Sequence, residues 1–110
     1  MASLKTLEPW LIDAAQWIFD LGHDYDARLR VTSTRRSFQD QARLYADYKA
    51  GRSQLPAAPP GRSMHQLGRA FDLARMGIDP YVDDLLPELG ALWIGLGGFW
   101  SSTDPVHFQA

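Results

Sequence analysis

The chain has 110 residues, a formal net charge of −2 and no cysteine. Its hydrophobic fraction of 45% and aromatic fraction of 12% indicate a folded globular protein of one domain rather than a disordered chain. The eleven lysines and arginines are scattered, which argues against a nucleic-acid-binding surface. Without cysteine there is no disulfide and no thiolate zinc finger, so any metal must be held by histidine and carboxylate side chains.

The amino-terminal segment has charged residues inside its apolar pattern. It lacks the uninterrupted apolar core of a signal peptide, and no apolar run approaches the length of a membrane span. We therefore expect a product that is synthesised in the cytoplasm without an export signal and is not inserted into a membrane. We also expect it to be a monomer.

Three amphipathic segments predict helices. In the first, apolar residues recur every three or four positions, with Thr6 as the expected N-cap, Pro9 in the first turn and Gly22 at the end. The second starts after Ser37, where Asp40 completes a capping pattern, and stops at Gly51. The third runs from Leu85 to Leu96, with Asp83, Asp84 and Glu88 as its acidic first turn. We expect several aromatic side chains in the core: Trp10, Trp17, Trp93 and Phe99.

Alternating or β-branched residues predict short strands at residues 28–33, 69–75, 99–101 and 106–108. Residues 52–62 hold three prolines and a glycine and predict a loop. Because this loop directly precedes a histidine motif, we expect it to border a functional site.

That motif places His65 seven residues before Asp72, with small or apolar neighbours around the aspartate. Imidazole nitrogen and carboxylate oxygen are preferred zinc ligands, and a catalytic zinc usually has three protein ligands and one open position. The best third ligand is His107, in a strand whose neighbours Val106 and Phe108 point to the core. The N, O, N set favours zinc over calcium or magnesium.

Two further residues supply the remaining chemistry. Asp104 lies three residues before His107 and is predicted to act as general base toward a zinc-bound water, then as general acid toward the leaving amine. Arg36 offers N–H donors for an oxyanion or for a substrate carboxylate. Ser63 is either a substrate contact or simply a polar loop residue, Gln41 is predicted to orient Arg36, and Trp100 fits either the core or a substrate-binding surface.

Four segments together resemble the zinc D-Ala-D-Ala carboxypeptidase and L-alanyl-D-glutamate endopeptidase family. Residues 32–38 with Gln41 and Leu44 look like its TSGYRS…Q..L segment, although Thr34-Arg35 replaces Gly-Tyr. Residues 63–72 match its SxHxxGxAxD motif, residues 97–100 resemble GGxW, and residues 104–108 resemble its terminal D/E-x-x-H-F/W.

The resemblance implies an α+β fold of the Hedgehog/DD-peptidase type, with helices packed on a small antiparallel sheet that carries the zinc. It also implies hydrolysis of peptide bonds in bacterial cell-wall stem peptides by a domain spanning residues 1–110. By position, His65, Asp72 and His107 are the ligands, Asp104 the acid/base and Arg36 the anion-binding residue. The choice between Arg35 and Arg36 stays open at this point.

Aspartate rather than glutamate at position 104 resembles the phage endolysin branch, so we expect cleavage of the L-Ala-D-Glu bond. Such a lysin would reach the wall after release through a membrane pore. The alternatives are a D-Ala-D-Ala carboxypeptidase or dipeptidase, and a zinc-retaining wall-binding module without hydrolytic activity. A structural zinc usually has a closed fourth ligand and needs no base, which counts against the inactive module.

Overall fold

The computed structural model describes residues 2–110, and within them three α-helices accompany a four-stranded antiparallel sheet. The helices are α1 (Pro9–Tyr25), α2 (Phe38–Lys49) and α3 (Leu85–Gly95), and the strands are β1 (Leu29–Ser33), β2 (Ala70–Arg75), β3 (Phe99–Trp100) and β4 (His107–Gln109). Short 3₁₀ turns occupy Leu4–Thr6 and Pro80–Val82. The predicted α+β class is confirmed. Among residues 2–110, no helix is both long enough and apolar enough to cross a bilayer.

The strands are ordered β1-β2-β4-β3, so the last two strands of the chain return beside β2. In the β2–β4 pair, Phe71 lies opposite Phe108, and Asp72 lies opposite His107. Because successive residues of a strand point to opposite faces, one face of this pair is aromatic and the other carries a carboxylate beside an imidazole.

The aromatic face of the sheet is covered by α1 and α3. Phe71 and Phe108 stack with ring centroids 5.3 Å apart, and Trp93 of α3 meets Phe71 edge to face at 5.1 Å. Buried aliphatic residues of the helices and of the neighbouring strands complete this core: Leu11, Ala15, Ile18, Leu29, Leu73, Leu86 and Leu89. The opposite face is therefore left for polar chemistry on a rigid, well-packed support.

The predicted first and last residues of the first helix were both wrong. Helix α1 starts at Pro9 itself, and Thr6 instead belongs to a 3₁₀ turn that is capped by the Ser3 hydroxyl. The helix continues past Gly22 to Tyr25. Gly22 is buried, and its lack of a side chain makes room for Leu29 and Leu89. Here glycine serves close packing and does not end the helix.

The caps of the other helices follow side-chain hydrogen bonding. Ser37 accepts from the Asp40 backbone N–H at 3.1 Å, as predicted for the start of α2. Asp83 lies just before α3, and one of its oxygens accepts from the Leu85 and Leu86 N–H groups. Burial raises the pKa of Asp83, but its hydrogen bonds with Arg75 and these N–H groups outweigh burial and lower it. Asp83 and Asp84 therefore precede the helix, and of the three predicted acidic residues only Glu88 lies in its first turn.

Of the four aromatics predicted for the core, only Trp93 is buried. Trp10 is 62% exposed, Trp17 47% and Phe99 57%. Trp10 and Trp17 lie on the outer side of α1, away from the buried Leu11–Ala15–Ile18 stripe, and the guanidinium of Arg69 lies over the Trp10 ring. Their size suggested burial, but the helical period places them outside the stripe.

Gly90 and Gly95 of α3 form a matched pair for testing the packing of this helix. A methyl group on Gly90 would overlap the Trp100 ring, whereas one on Gly95 would meet nothing within 4 Å. Alanine favours a helix over glycine by up to about 1 kcal/mol, while overpacking costs about 1–3 kcal/mol. We expect Gly90→Ala to lower the free energy of unfolding and Gly95→Ala to leave it unchanged or raise it, as measured by urea denaturation. Equal effects would contradict the close contact with Trp100.

Candidate metal centre and active site

The polar face of the sheet positions two of the predicted ligands. Asp72 in β2 and His107 in β4 are direct cross-strand partners on this face. On the other side of β2, Ser33 pairs with Asp72, and the register shifts by one residue between Val31 and Ser33. A bulge of this kind bends a strand end and re-aims its side chains, and here it brings the end of β1 to the ligands.

The third ligand, His65, comes from the loop before β2 and is 2% exposed. Its backbone carbonyl accepts from the Arg36 N–H at 3.0 Å, so the loop is tied to the segment that follows β1. Gly68 closes the loop at φ +70°, a conformation that favours glycine, and the Arg35 guanidinium occupies the space that a side chain at this position would take. Residues 6–8 brace the same loop: Glu8 N–H donates to the Gly68 carbonyl, and Arg35 Nε donates to the Thr6 carbonyl.

The three predicted ligands converge on one point. His65 Nε2 lies 2.9 Å from Asp72 Oδ1 and 3.2 Å from His107 Nδ1, and the third side of the triangle, from His107 Nδ1 to Asp72 Oδ1, is 3.3 Å. Among residues 2–110, this His-Asp-His group is where three potential metal ligands lie within 4.8 Å of one another. The structure thus brings together residues that are up to 42 positions apart in the chain.

The other nitrogen of each imidazole has its own acceptor. His65 Nδ1 lies 2.7 Å from the Thr34 carbonyl, which can only accept, so this nitrogen carries the proton. His107 Nε2 lies 2.6 Å from Gln109 Oε1 and is the natural donor in that pair. In the neutral rings, His65 Nε2 and His107 Nδ1 therefore turn lone pairs toward the Asp72 carboxylate. Three hydrogen-bond acceptors that face each other without an N–H or O–H group between them require a cation. These three atoms therefore fit a metal ion.

The pKa shifts in the cluster also indicate a preference for positive charge. Burial raises the pKa of Asp72, but hydrogen bonds with His107 and His65 outweigh it and hold that pKa well below the usual range. Burial lowers the pKa of His107, and the Asp72 carboxylate more than compensates, so the net pKa is raised. Both shifts favour positive charge beside the Asp72 carboxylate, and a metal ion would compete with protons for the same ligand atoms.

Asp104 lies beside this cluster without belonging to it. Asp104 lies in the turn at residues 101–107, which is closed by hydrogen bonds from the Asp104 N–H to the Ser101 carbonyl and from the His107 N–H to the Asp104 carbonyl. Burial raises the pKa of Asp104; the positive charge of His107 lowers it, the Asp72 carboxylate raises it, and the net shift is upward. Within residues 2–110, no hydrogen bond engages its carboxylate, so this group is free to exchange a proton with a molecule in the cavity.

Arg36, not Arg35, faces the site. Its guanidinium donates to Ser33 Oγ, to Gln41 Oε1 at 2.8 Å and to Asp72 Oδ2 at 3.3 Å. Burial lowers the pKa of Arg36, and the Asp72 carboxylate opposes this shift. Gln41, 1% exposed, also donates to the Ala58 carbonyl at 2.8 Å and so joins Arg36 to the loop at residues 52–62. The predicted contact between Gln41 and Arg36 is present.

A cavity of about 530 Å³ opens over the cluster. It is lined by the three predicted ligands and by Asp104, Arg36, Gln41 and Ser63, together with apolar and loop residues that include Leu44, Tyr48, Leu55, Pro56 and Arg62. The loop at 52–62 therefore borders the cavity as predicted. Ser63 is 7% exposed, and its hydroxyl accepts from the His65 N–H.

Trp100 lies elsewhere. It does not line the cavity but packs on Gly90, and its indole N–H donates to the Pro105 carbonyl at 2.9 Å. Of the two interpretations that the sequence left open, the geometry favours the core, where Trp100 fixes the turn that carries Asp104.

Sequence reasoning missed several groups that support the ligands. The Thr34 carbonyl left no signal, because any residue provides a backbone oxygen. Gln109 could have been found, since it follows His107 by two positions on a strand and must share its face. Ser33 depends on the bulge in β1, which the sequence pattern did not indicate.

A sequence model of a family described as VanY, D-alanyl-D-alanine carboxypeptidase, matches residues 4–85. The chain belongs to the VanY family. The resemblance drawn from the motifs is thus confirmed. The match includes Arg36, His65 and Asp72 but ends before Asp104 and His107, so the placement of those two rests on the structure. A search of curated protein sequences gave no significant match.

Solved structures with the same fold include several peptidases. The chain superposes on the vancomycin resistance D,D-dipeptidase VanXYg (TM-score 0.68, 22% identity, 94% of this chain and 49% of that one). It also superposes on a mutant of the D,D-pentapeptidase VanY in complex with Zn(II) (0.69, 22%, 94% and 71%). A third is the L-Ala D-Glu endopeptidase ChiX of Serratia marcescens (0.61, 23%, 96% and 81%). The VanY-family chain spans about half of the length of VanXYg. The three superpositions confirm the predicted Hedgehog/DD-peptidase fold.

Gln41 and Gln39 of α2 offer a test of the support for Arg36. We expect Gln41→Leu to lower the free energy of unfolding by about 1–3 kcal/mol, because the Ala58 carbonyl and an Arg36 N–H lose their buried partner. Gln39→Leu, at an exposed position of the same helix, should have little effect. Urea denaturation of both variants measures the difference. If the two variants unfold at the same urea concentration, Gln41 does not tie Arg36 to the loop.

Proposed function

We propose that residues 1–110 form a zinc peptidase domain that hydrolyses a peptide bond in bacterial cell-wall stem peptides. The observation that carries this proposal is the convergence of three metal-binding atoms, from His65, Asp72 and His107, beside the free carboxylate of Asp104 in one cavity. The related VanY structure in complex with Zn(II) supports zinc as the metal.

The donor set fits zinc on its own chemistry. Two imidazole nitrogens and one carboxylate oxygen are a common ligand set for catalytic zinc, which leaves a coordination position for water or substrate. When bound, zinc lowers the pKa of its water to about 7 and polarises a substrate carbonyl. The protein supplies the remaining steps through Asp104 and Arg36.

Asp104 is proposed to move the proton. As a carboxylate it takes a proton from the attacking water, and as a carboxylic acid it gives that proton to the nitrogen of the leaving amine. The raised pKa of Asp104 suits the first half of the cycle, because a stronger base accepts the proton from water more readily. Its position outside the ligand triangle keeps it free for this exchange.

Arg36 is proposed to stabilise the oxyanion that develops on the substrate carbonyl. A guanidinium has five N–H donors, and four of them are engaged with Ser33, Gln41 and Asp72, which leaves one N–H of Arg36 Nη1 without a partner among residues 2–110. One donor suits a single oxygen, whereas a substrate carboxylate is best held by two. The buried, fixed guanidinium is already oriented before the charge appears.

The bond cut is proposed to be L-Ala-D-Glu. The single free donor of Arg36 favours an internal bond over a terminal D-Ala, whose free carboxylate would need a clamp near the metal. Aspartate at position 104 and the fold shared with ChiX also support this choice. The second candidate, D-Ala-D-Ala cleavage, is favoured by the description of the family and by the fold shared with VanXYg.

Two substitutions should separate metal binding from proton transfer. We expect Asp104→Ala to retain zinc and lose hydrolysis of purified peptidoglycan by about 100-fold or more, since general acid–base catalysis contributes roughly 10²–10⁴-fold. His65→Ala should lose zinc and activity together, because a ligand is removed. Zinc content by atomic absorption and turnover by release of soluble fragments measure both. Wild-type turnover in Asp104→Ala would exclude it as the base, and full zinc content in His65→Ala would exclude the ligand set.

Mass spectrometry of digested peptidoglycan decides between the two bonds. L-Ala-D-Glu cleavage creates peptides with a new amino-terminal D-Glu, whereas D-Ala-D-Ala cleavage releases free D-Ala. We expect the first product with the zinc-loaded chain and neither product with Asp104→Ala. Release of D-Ala as the main product would support the carboxypeptidase instead.

A further inference from the structure

The Gln109 side chain contacts the nitrogen of His107 that faces away from the His-Asp-His cluster. His107 and Gln109 are two positions apart on β4, so both side chains lie on the polar face while Phe108 between them enters the core. Opposite Gln109 on β2 is Ala70, whose small side chain leaves room beside it. The Gln109 oxygen reaches His107 Nε2 at 2.6 Å, the shortest contact made by either imidazole ring.

The position of the proton on His107 decides whether the ring can bind a metal in this cluster. Only Nδ1 of His107 faces His65 and Asp72, at 3.2 and 3.3 Å. If Nδ1 carried the proton of the neutral ring, its lone pair would be lost to a metal at that point. An acceptor next to Nε2 keeps the proton there and leaves Nδ1 free.

The two histidines are held in different ways. His65 has a backbone acceptor, the Thr34 carbonyl, which no side-chain substitution removes. His107 depends on a side-chain amide, and Gln109 lies half-buried in the lining of the cavity. Position 109 is therefore where a single substitution can tune the metal centre without altering a ligand.

We propose that Gln109 is a positioning residue that fixes the tautomer of His107 through an accepted hydrogen bond and thereby sets the affinity of the site for its metal. This inference rests on the proposed zinc function. It assigns to Gln109 a role in metal binding and none in contact with the reacting atoms.

The test compares zinc affinity in two variants that differ in one property. Gln109→Met keeps a side chain of similar length and removes the acceptor, whereas Gln109→Glu keeps an acceptor and removes the amide donor. Zinc dissociation constants are measured by competition with a chromophoric chelator. We expect the Met variant to bind zinc about 10–100-fold more weakly and the Glu variant to bind it at least as tightly as the wild type. Gln16→Met, on the outer side of α1, controls for the substitution itself.

Two results would overturn the inference: zinc affinity unchanged in Gln109→Met, or affinity weakened as much in Gln109→Glu as in Gln109→Met. The tautomer is read independently by long-range ¹H–¹⁵N NMR of the zinc-loaded wild type. A protonated Nε2 and a metal-bound Nδ1 on His107 are expected, and the reverse assignment would contradict the inference. If the wild type bound no zinc, the proposed function would fail as well; a Gln109→Met variant that binds like the wild type removes only the role of Gln109.

Discussion

The antiparallel pairing of β2 with β4 is the constraint on which the rest of the site depends. It places Phe71 against Phe108 on one face and Asp72 against His107 on the other, so the same register builds the core and the His-Asp-His cluster. A slip of one residue would move the aromatic rings to the polar face and the ligands into the core. The packing of α1 and α3 on the aromatic face therefore also fixes the distance between two ligands.

Around this pair of strands, the cluster residues are surrounded by further hydrogen-bonding and charged groups. His65, Asp72 and His107 lie at the centre, and the acceptors behind each imidazole determine which nitrogen faces inward. Arg36 balances the charge of Asp72 from one side while its remaining contacts with Ser33 and Gln41 hold it in place. Asp104 is left outside this network, and among residues 2–110 its carboxylate has no hydrogen-bond partner.

Much of this organisation could be predicted from the sequence, because residue types with narrow chemical preferences occur at fixed spacings. The strands around Asp72 and His107 follow from alternation, and the geometry agrees with the expected meeting of His65, Asp72 and His107. What could not be predicted depends on tertiary context. Gly22 has the chemistry of a helix end but is used for close packing, and Trp10 has the size of a core residue but lies outside the buried stripe.

The contacts of residues 6–8 with the loop that carries His65 have a consequence for modular engineering. Gly68 and its carbonyl are held by Glu8 and by the Arg35 guanidinium, which is itself anchored on Thr6. A graft that transplanted only residues 61–72 into another scaffold would leave this loop without its clamp. The smallest transferable unit is therefore discontinuous, and it includes a stretch near the start of the chain that supplies no side chain to the cavity.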